Sequence, residues 1–146
     1  MISILLVAVL LLAACSSKSS SSEKATIKYW SMWNKGEPQQ VVIQKIIDEY
    51  EKENPNVKVD VQWMGREVMS KVRNAALSGD APDLTEQSGA EVEGALINNK
   101  LVEPLNDLLS MKIPNEDTEF QEVFIDNILP FYQKEGNTYF IPYEII

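Results

Sequence analysis

Residues 57–63 read Val57-Lys58-Val59-Asp60-Val61-Gln62-Trp63, and this stretch decides the fold. Its apolar side chains fall on every second position, so Val57, Val59, Val61 and Trp63 share one face of an extended chain. A strand of this kind is buried on one side only, which suits the edge of a sheet better than its centre. Upstream, Val42, Ile43, Ile46, Ile47 and Tyr50 recur at i, i+3 and i+4 spacing and predict one apolar stripe on a helix of about four turns. Pro38 suits the first turn of that helix, where its missing N–H does no harm, and Asn54-Pro55 stops it. Before the helix, Thr26-Ile27-Lys28-Tyr29-Trp30-Ser31-Met32-Trp33 is rich in β-branched and aromatic residues and predicts a first strand. The turn Asn34-Lys35-Gly36-Glu37 joins the two.

Downstream the same alternation continues. A second helix is expected from about Glu67 to Ser78, with Val68, Met69, Val72, Ala76 and Leu77 inward and Gly79 just past its end. Leu84 to Gln87 reads as a short third strand, Glu91 to Asn98 as helix, and Pro104 to Leu109 as a turn or short helix. A further helix is expected at roughly Glu119 to Leu129, with Phe120, Val123, Phe124 and Ile128 inward. The chain closes on a strand-like run, Thr138-Tyr139-Phe140-Ile141-Pro142-Tyr143. Strands alternating with amphipathic helices make right-handed crossovers, so the fold class is α/β, with a parallel sheet covered by helices. There is no internal repeat.

Composition excludes several classes of function. The 146 residues carry 22 acidic against 13 basic side chains, a formal charge of −9. Nucleic acid is therefore not an expected partner, since binding it needs clustered cations to release counterions. No histidine is present, which removes Ser-His-Asp and Cys-His nucleophile systems and the HExxH zinc site. No metal or other cofactor is expected. Cys15 is the single cysteine, so the domain has no internal disulfide.

The first fourteen residues, MISILLVAVLLLAA, form an uncharged apolar run too short to span a bilayer, which takes about 20 residues. The run has the length of a secretory h-region ending in small residues, although no basic residue precedes Lys18. Leu12-Ala13-Ala14-Cys15 resembles the lipobox of bacterial lipoproteins, in which the cysteine is lipidated and becomes the new N-terminus. Ser16 to Glu23 is a low-complexity serine tether. The expected organisation is a signal peptide at 1–14, a lipidated Cys15 with its tether at 15–24, and a folded lobe at 25–146.

Four segments of that lobe resemble the family-1 extracellular solute-binding proteins, the maltose-binding-protein-like group. These are Tyr29-Trp30-Ser31-Met32-Trp33-Asn34-Lys35-Gly36-Glu37-Pro38 with the helix ending Tyr50-Glu51-Lys52-Glu53-Asn54-Pro55, then Ala75 to Leu84, Lys100 to Asp107, and Gly136 to Tyr143. Thr85-Glu86-Gln87 departs from the pattern, because the family usually has apolar residues there. The resemblance implies a type II periplasmic-binding-protein-like lobe, with a parallel-dominated sheet flanked by helices. It also implies a second lobe outside this chain, which reaches about the first crossover and reads as an N-terminal fragment. The implied function is capture of a mono- or oligosaccharide for the permease subunits of an ABC importer. The implied setting is the extracytoplasmic face of the membrane, in a periplasm or on a Gram-positive surface, with the protein monomeric and without enzymatic activity.

Ligands of open α/β sheets sit beyond the carboxyl ends of the strands. That rule selects Trp33–Glu37, Gln87–Ala90 and Tyr143-Glu144. Sugars need a flat aromatic surface for their C–H faces, and carboxylate and amide groups for their hydroxyls. Trp33, Asn34, Glu37, Gln87, Ser88, Tyr143 and Glu144 supply that mixture and are the candidate substrate-binding residues. Five of these also have a structural reading: Trp33 as a cap on the sheet, Asn34 as a turn residue, Glu37 at a helix start, and Gln87 and Ser88 in a helix-capping turn. Trp30 and Trp63 read as core and Lys35 as solvated. Amino acids, polyamines and iron remain alternative cargoes. A hydrolase using Glu37 and Glu144 as a carboxylate pair, or a surface lipoprotein acting as adhesin or peptide binder, are the competing classes.

Overall fold

In the computed structural model, which describes residues 24–126 and 128–143, strand β1 (Ala25–Ser31) lies parallel to β2 (Val57–Trp63). Their register pairs Ala25 with Val57 and runs unbroken to Ser31 with Trp63. Strand β3 (Leu84–Thr85) pairs parallel on the other side of β1, Tyr29 with Leu84 and Trp30 with Thr85. The order β2-β1-β3 puts the strictly alternating strand at the edge, as its one-sided pattern predicts. On β2's outer side, the Glu51 carboxylate accepts from the Val59 N–H at 2.8 Å, and a capped edge of this kind is blunted against further pairing.

Helix α1 (Pro38–Glu53) crosses from β1 to β2, and α2 (Val68–Ser78) from β2 to β3. Gly79 ends α2 in the left-handed region, φ 79°, with its N–H on Ala76 O, the conformation a glycine adopts without Cβ strain. Helix α3 (Gly89–Ala95) follows β3. Val68, Met69, Val72, Val92 and Leu96 form the main core, and Trp30, Met32, Leu101, Val102 and Phe140 pack on it. Alternation along β1 turns Tyr29 to the opposite face, where it meets Trp63 edge-on at 6.4 Å.

The structure corrects four expectations. Val42, Ile46 and Tyr50 are exposed, Ile46 by 62%; α1 buries Ile47 alone, because a three-stranded sheet is narrower than the helix's apolar stripe. Leu77, expected inward, is also exposed. The helix expected at 119–129 is replaced by two 3₁₀ turns, Phe120–Val123 and Leu129–Tyr132. There Glu119 and Glu122 form a reciprocal capping box and the chain becomes extended at Phe124, leaving Val123 exposed. Finally, the closing strand shrinks to β5 (Asn137–Thr138), paired antiparallel with β4 (Gln133–Lys134). Glu135 and Gly136 between them have φ 53° and 80°, the two positive values of a tight hairpin turn. Tyr139 to Tyr143 belongs to no strand. A short helix α4 (Asn106–Leu109) ties this end down, its Asn106 side chain accepting from the Thr138 N–H at 3.0 Å.

Candidate functional site

Because β1, β2 and β3 are parallel, the loops that leave them emerge at one end of the sheet. The first loop is built around Glu37. Its carboxylate accepts from the Asn34 backbone N–H at 2.9 Å and from Asn34 Nδ2 at 3.2 Å. The loop after β2 supplies Arg66, whose Nη1 donates to Glu37 at 2.9 Å and to Met32 O at 2.6 Å. The Arg66 guanidinium carbon lies 4.4 Å from the centre of the Trp33 ring. The Asn34 backbone hydrogen bond, followed by that from Arg66, holds the Glu37 carboxyl below the usual carboxylate range. The third loop joins through Gln87, whose Nε2 donates to Arg66 O at 3.3 Å.

The sequence-predicted residues thus fall into distinct positions. Trp33, Asn34, Glu37 and Gln87 come together through Arg66. Trp33 is only 8% exposed, so stacking of a ligand on its covered face requires the guanidinium to move aside. Its indole N–H is buried with no hydrogen-bond partner among the described residues. Ser88 is the N-cap of α3, its Oγ accepting from Glu91 N at 3.4 Å. Tyr143 is exposed and lines a groove of about 560 Å³ along β3, with Glu86, Gln87 and Phe140. Glu144 and Cys15 lie outside the described residues, as do residues 1–14 and the serine tether.

Two polar residues of this region are absent from the sequence-derived candidates. Arg66 follows from the same rule that selected the other loops, applied to the loop after β2. Glu86 shows in the sequence as an acid inside a stretch that reads as strand. Of the five N–H donors of a guanidinium, those on Nε and Nη2 of Arg66 have no partner among the described residues. The site therefore offers spare donors from Arg66 and acceptors from Glu37, Asn34 and Gln87, which is the equipment of hydroxyl recognition. Among the described residues no helix is long and apolar enough to cross a membrane.

The solved structures most similar in shape include a maltose/maltodextrin-binding domain from Bdellovibrio bacteriovorus bound to maltotriose. It is 22% identical with a TM-score of 0.60, the match covering 77% of this chain and 27% of that one. An extracellular solute-binding protein of family 1 from Alicyclobacillus acidocaldarius is 16% identical with a TM-score of 0.66, covering 82% and 28%. A protein of xylan utilization from Caldanaerobius polysaccharolyticus is 25% identical with a TM-score of 0.57, covering 80% and 28%. The chain thus spans little more than a quarter of the length of these relatives, and its fold is theirs over that span: an α/β type II periplasmic-binding-protein lobe. No curated protein matches it in sequence. The family described as bacterial extracellular solute-binding protein matches residues 35–145, and the chain belongs to that family.

Proposed function

We propose that this chain is the N-terminal lobe of a two-lobe protein that captures a mono- or oligosaccharide outside the cytoplasm and hands it to an ABC importer. The observation that carries the reading is the joining of Asn34, Glu37, Arg66 and Gln87, from three different loops, into one hydrogen-bonded set at the carboxyl end of a parallel sheet. Family membership and a relative bound to maltotriose support a sugar as cargo; an amino acid, a polyamine or iron is the alternative.

Binding proceeds by closure. Ligand contacts both lobes only in the closed form and so shifts an open–closed equilibrium, and the closed form docks on the permease. On its own the described lobe holds half of the contacts and binds sugar weakly. Lipid on Cys15 and the serine tether hold it at the membrane. The reading is of a binder rather than a glycoside hydrolase. Membership of the solute-binding family supports this.

A thermal-shift screen of the full-length protein against maltotriose, xylo-oligosaccharides, amino acids and polyamines tests this. Ligand at a hundredfold excess over Kd stabilises the native state by about 2.7 kcal/mol. An upward shift with one saccharide class is expected; a shift with an amino acid or polyamine alone would discard the sugar.

A further inference from the structure

The stretch Thr85-Glu86-Gln87, whose polar character departs from the family's pattern, lies where the backbone pairing of β1 with β3 ends. That pairing joins Tyr29 with Leu84 and Trp30 with Thr85. Beyond it, side chains take over the tie between the two strands. Thr85 Oγ1 donates to Trp30 O at 2.9 Å, and the Ser31 hydroxyl donates to Glu86 Oε1. The same Ser31 oxygen accepts from the Trp33 backbone N–H at 3.2 Å. On its other side Ser31 remains in the sheet, paired with Trp63 and with its carbonyl accepting from Met64 N–H at 2.9 Å.

Ser31 is wholly buried within the described lobe, so its surroundings are set by the lobe itself. A buried hydroxyl is costly unless it is hydrogen-bonded, and here both its proton and a lone pair are engaged. The proton is committed to Glu86 and the lone pair to Trp33, which fixes the rotamer of the serine and bridges the end of β3 to the start of the first ligand loop. Glu86 immediately precedes Gln87, whose Nε2 donates to Arg66 O at 3.3 Å. One hydroxyl therefore sets the spacing between the segments that carry Trp33 and Gln87. An apolar pair at positions 31 and 86 would fill the same space, but dispersion contacts have no preferred direction, whereas hydrogen bonds do. The polar stretch at the end of β3 is explained by this bridge.

We propose that Ser31 is a positioning residue of the ligand site, acting through its bridge from Glu86 to the Trp33 N–H to hold the first and third ligand loops at a fixed separation. It touches no ligand itself; its effect is to pre-organise the residues that do. The assignment rests on the proposed binding function and deepens it by naming what aligns two of the three loops from beneath.

The test is calorimetric titration of the full-length protein with maltotriose, a xylo-oligosaccharide and spermidine. Wild type is compared with Ser31→Ala, Glu86→Leu, Glu86→Gln and the double variant Ser31→Ala/Glu86→Leu, and exchange of the Trp33 amide is followed by NMR. Saccharide affinity is expected to fall about tenfold in Ser31→Ala and in Glu86→Leu, and no further in the double variant, because each change breaks the same bridge. Glu86→Gln keeps an acceptor for the Ser31 hydroxyl and is expected to recover affinity to within about threefold of wild type. The Trp33 amide is expected to exchange several-fold faster in Ser31→Ala. Wild-type affinity or unchanged exchange in Ser31→Ala, or losses that add in the double variant, overturns the role of Ser31 and leaves the sugar-binding reading intact. Binding of spermidine but of no saccharide discards the sugar, and the same comparison made on spermidine then decides the role of Ser31. Binding of neither class overturns both. Should Ser31→Ala fail to fold, Glu86→Leu breaks the bridge from its half-buried end, and equal affinity in Glu86→Leu and Glu86→Gln overturns the proposal.

Discussion

The guanidinium of Arg66 lies 4.4 Å over the ring of Trp33, and this contact locks the loop after β2 onto the loop after β1. The same group donates to the Glu37 carboxylate and to Met32 O, so one side chain joins an aromatic face, a carboxylate and a backbone carbonyl. Both loops belong to the candidate site, and their relative position depends on it.

Arg66→Ala is expected to uncover Trp33. A cation–π contact near the surface contributes about 0.5–1 kcal/mol and an exposed ion pair at most about 1 kcal/mol. The loss of stability is therefore expected at about 1–2 kcal/mol in urea melts. Tryptophan emission is expected to shift to the red and acrylamide quenching to increase. An unchanged spectrum would mean that the ring stays covered without the arginine.

Glu37 gives the site a pH dependence. Its folded-state pKa lies below the ordinary carboxylate value of 4.5, by virtue of the Asn34 N–H and then Arg66. A depressed acid contributes stability that is fully present above that ordinary value and is lost as pH falls through the folded one. Urea midpoints are expected to be flat near neutrality and to fall as pH drops below about 4.5. Glu37→Gln is expected to flatten part of that slope; the remainder belongs to groups such as Glu51, lowered by Lys58 and the Val59 N–H. An identical slope in the variant would remove Glu37 from the account.

Gly65 is confined to glycine for two reasons. Its φ is 74°, and a Cβ there would lie 2.7 Å from Asn34 Oδ1. Backbone strain of this kind costs about 1–3 kcal/mol, and Asn34 would have to leave Glu37. Gly65→Ala is expected to lower stability by that amount and to weaken ligand binding more than Gly36→Ala. Gly36 also has positive φ, but nothing lies within 4 Å of its added Cβ. Equal effects of the two substitutions on binding would show that the Asn34 contact is irrelevant.

Burial separates two apolar positions, Leu96 and Ile46. Leu96 is 1% exposed in the main core, so Leu96→Ala is expected to cost about 2–5 kcal/mol. Ile46 is 62% exposed on α1, so Ile46→Ser on the described lobe is expected to change stability by about 0.5 kcal/mol or less. Chemical denaturation of the two variants checks this, and a large loss at Ile46 would mean that its face of α1 is covered.

Cys15→Ala is expected to release the protein from the membrane fraction, because a lipid chain anchors through about 0.8 kcal/mol per buried methylene. Cell fractionation with immunodetection reads the outcome, and a variant that still sediments with membranes would rule out lipidation at Cys15.

The elements that were legible in the sequence are those whose pattern is local. The alternation of Val57 to Trp63, the i, i+3, i+4 spacing after Pro38 and the Gly79 stop each depend on neighbours within a turn or two, and β1, α1, β2 and α2 stand where those patterns put them. Residues 119–129 failed because three or four apolar positions at helical spacing are equally well served by one capped 3₁₀ turn. In it, Phe120 N–H reaches Met111 O at 2.8 Å and the Phe120 ring meets Phe124 at 5.3 Å. At the site, Trp33, Asn34, Glu37 and Gln87 could be read from the strand-end rule, and Arg66 falls under the same rule, but that Arg66 joins them is a matter of three-dimensional contact.

The sequence by itself determined the α/β class, the edge position of β2 and the family, since periodicity and short motifs are properties of the chain. Only the tertiary structure decided that Arg66 closes over Trp33, that Glu86 meets Ser31, and that Ile46 stays in solvent. The first two contacts join residues more than thirty positions apart, Ser31 and Glu86 by 55. Contacts at that separation follow from the order of strands in the sheet, and the exposure of Ile46 from the sheet's width; no local period along the chain encodes either.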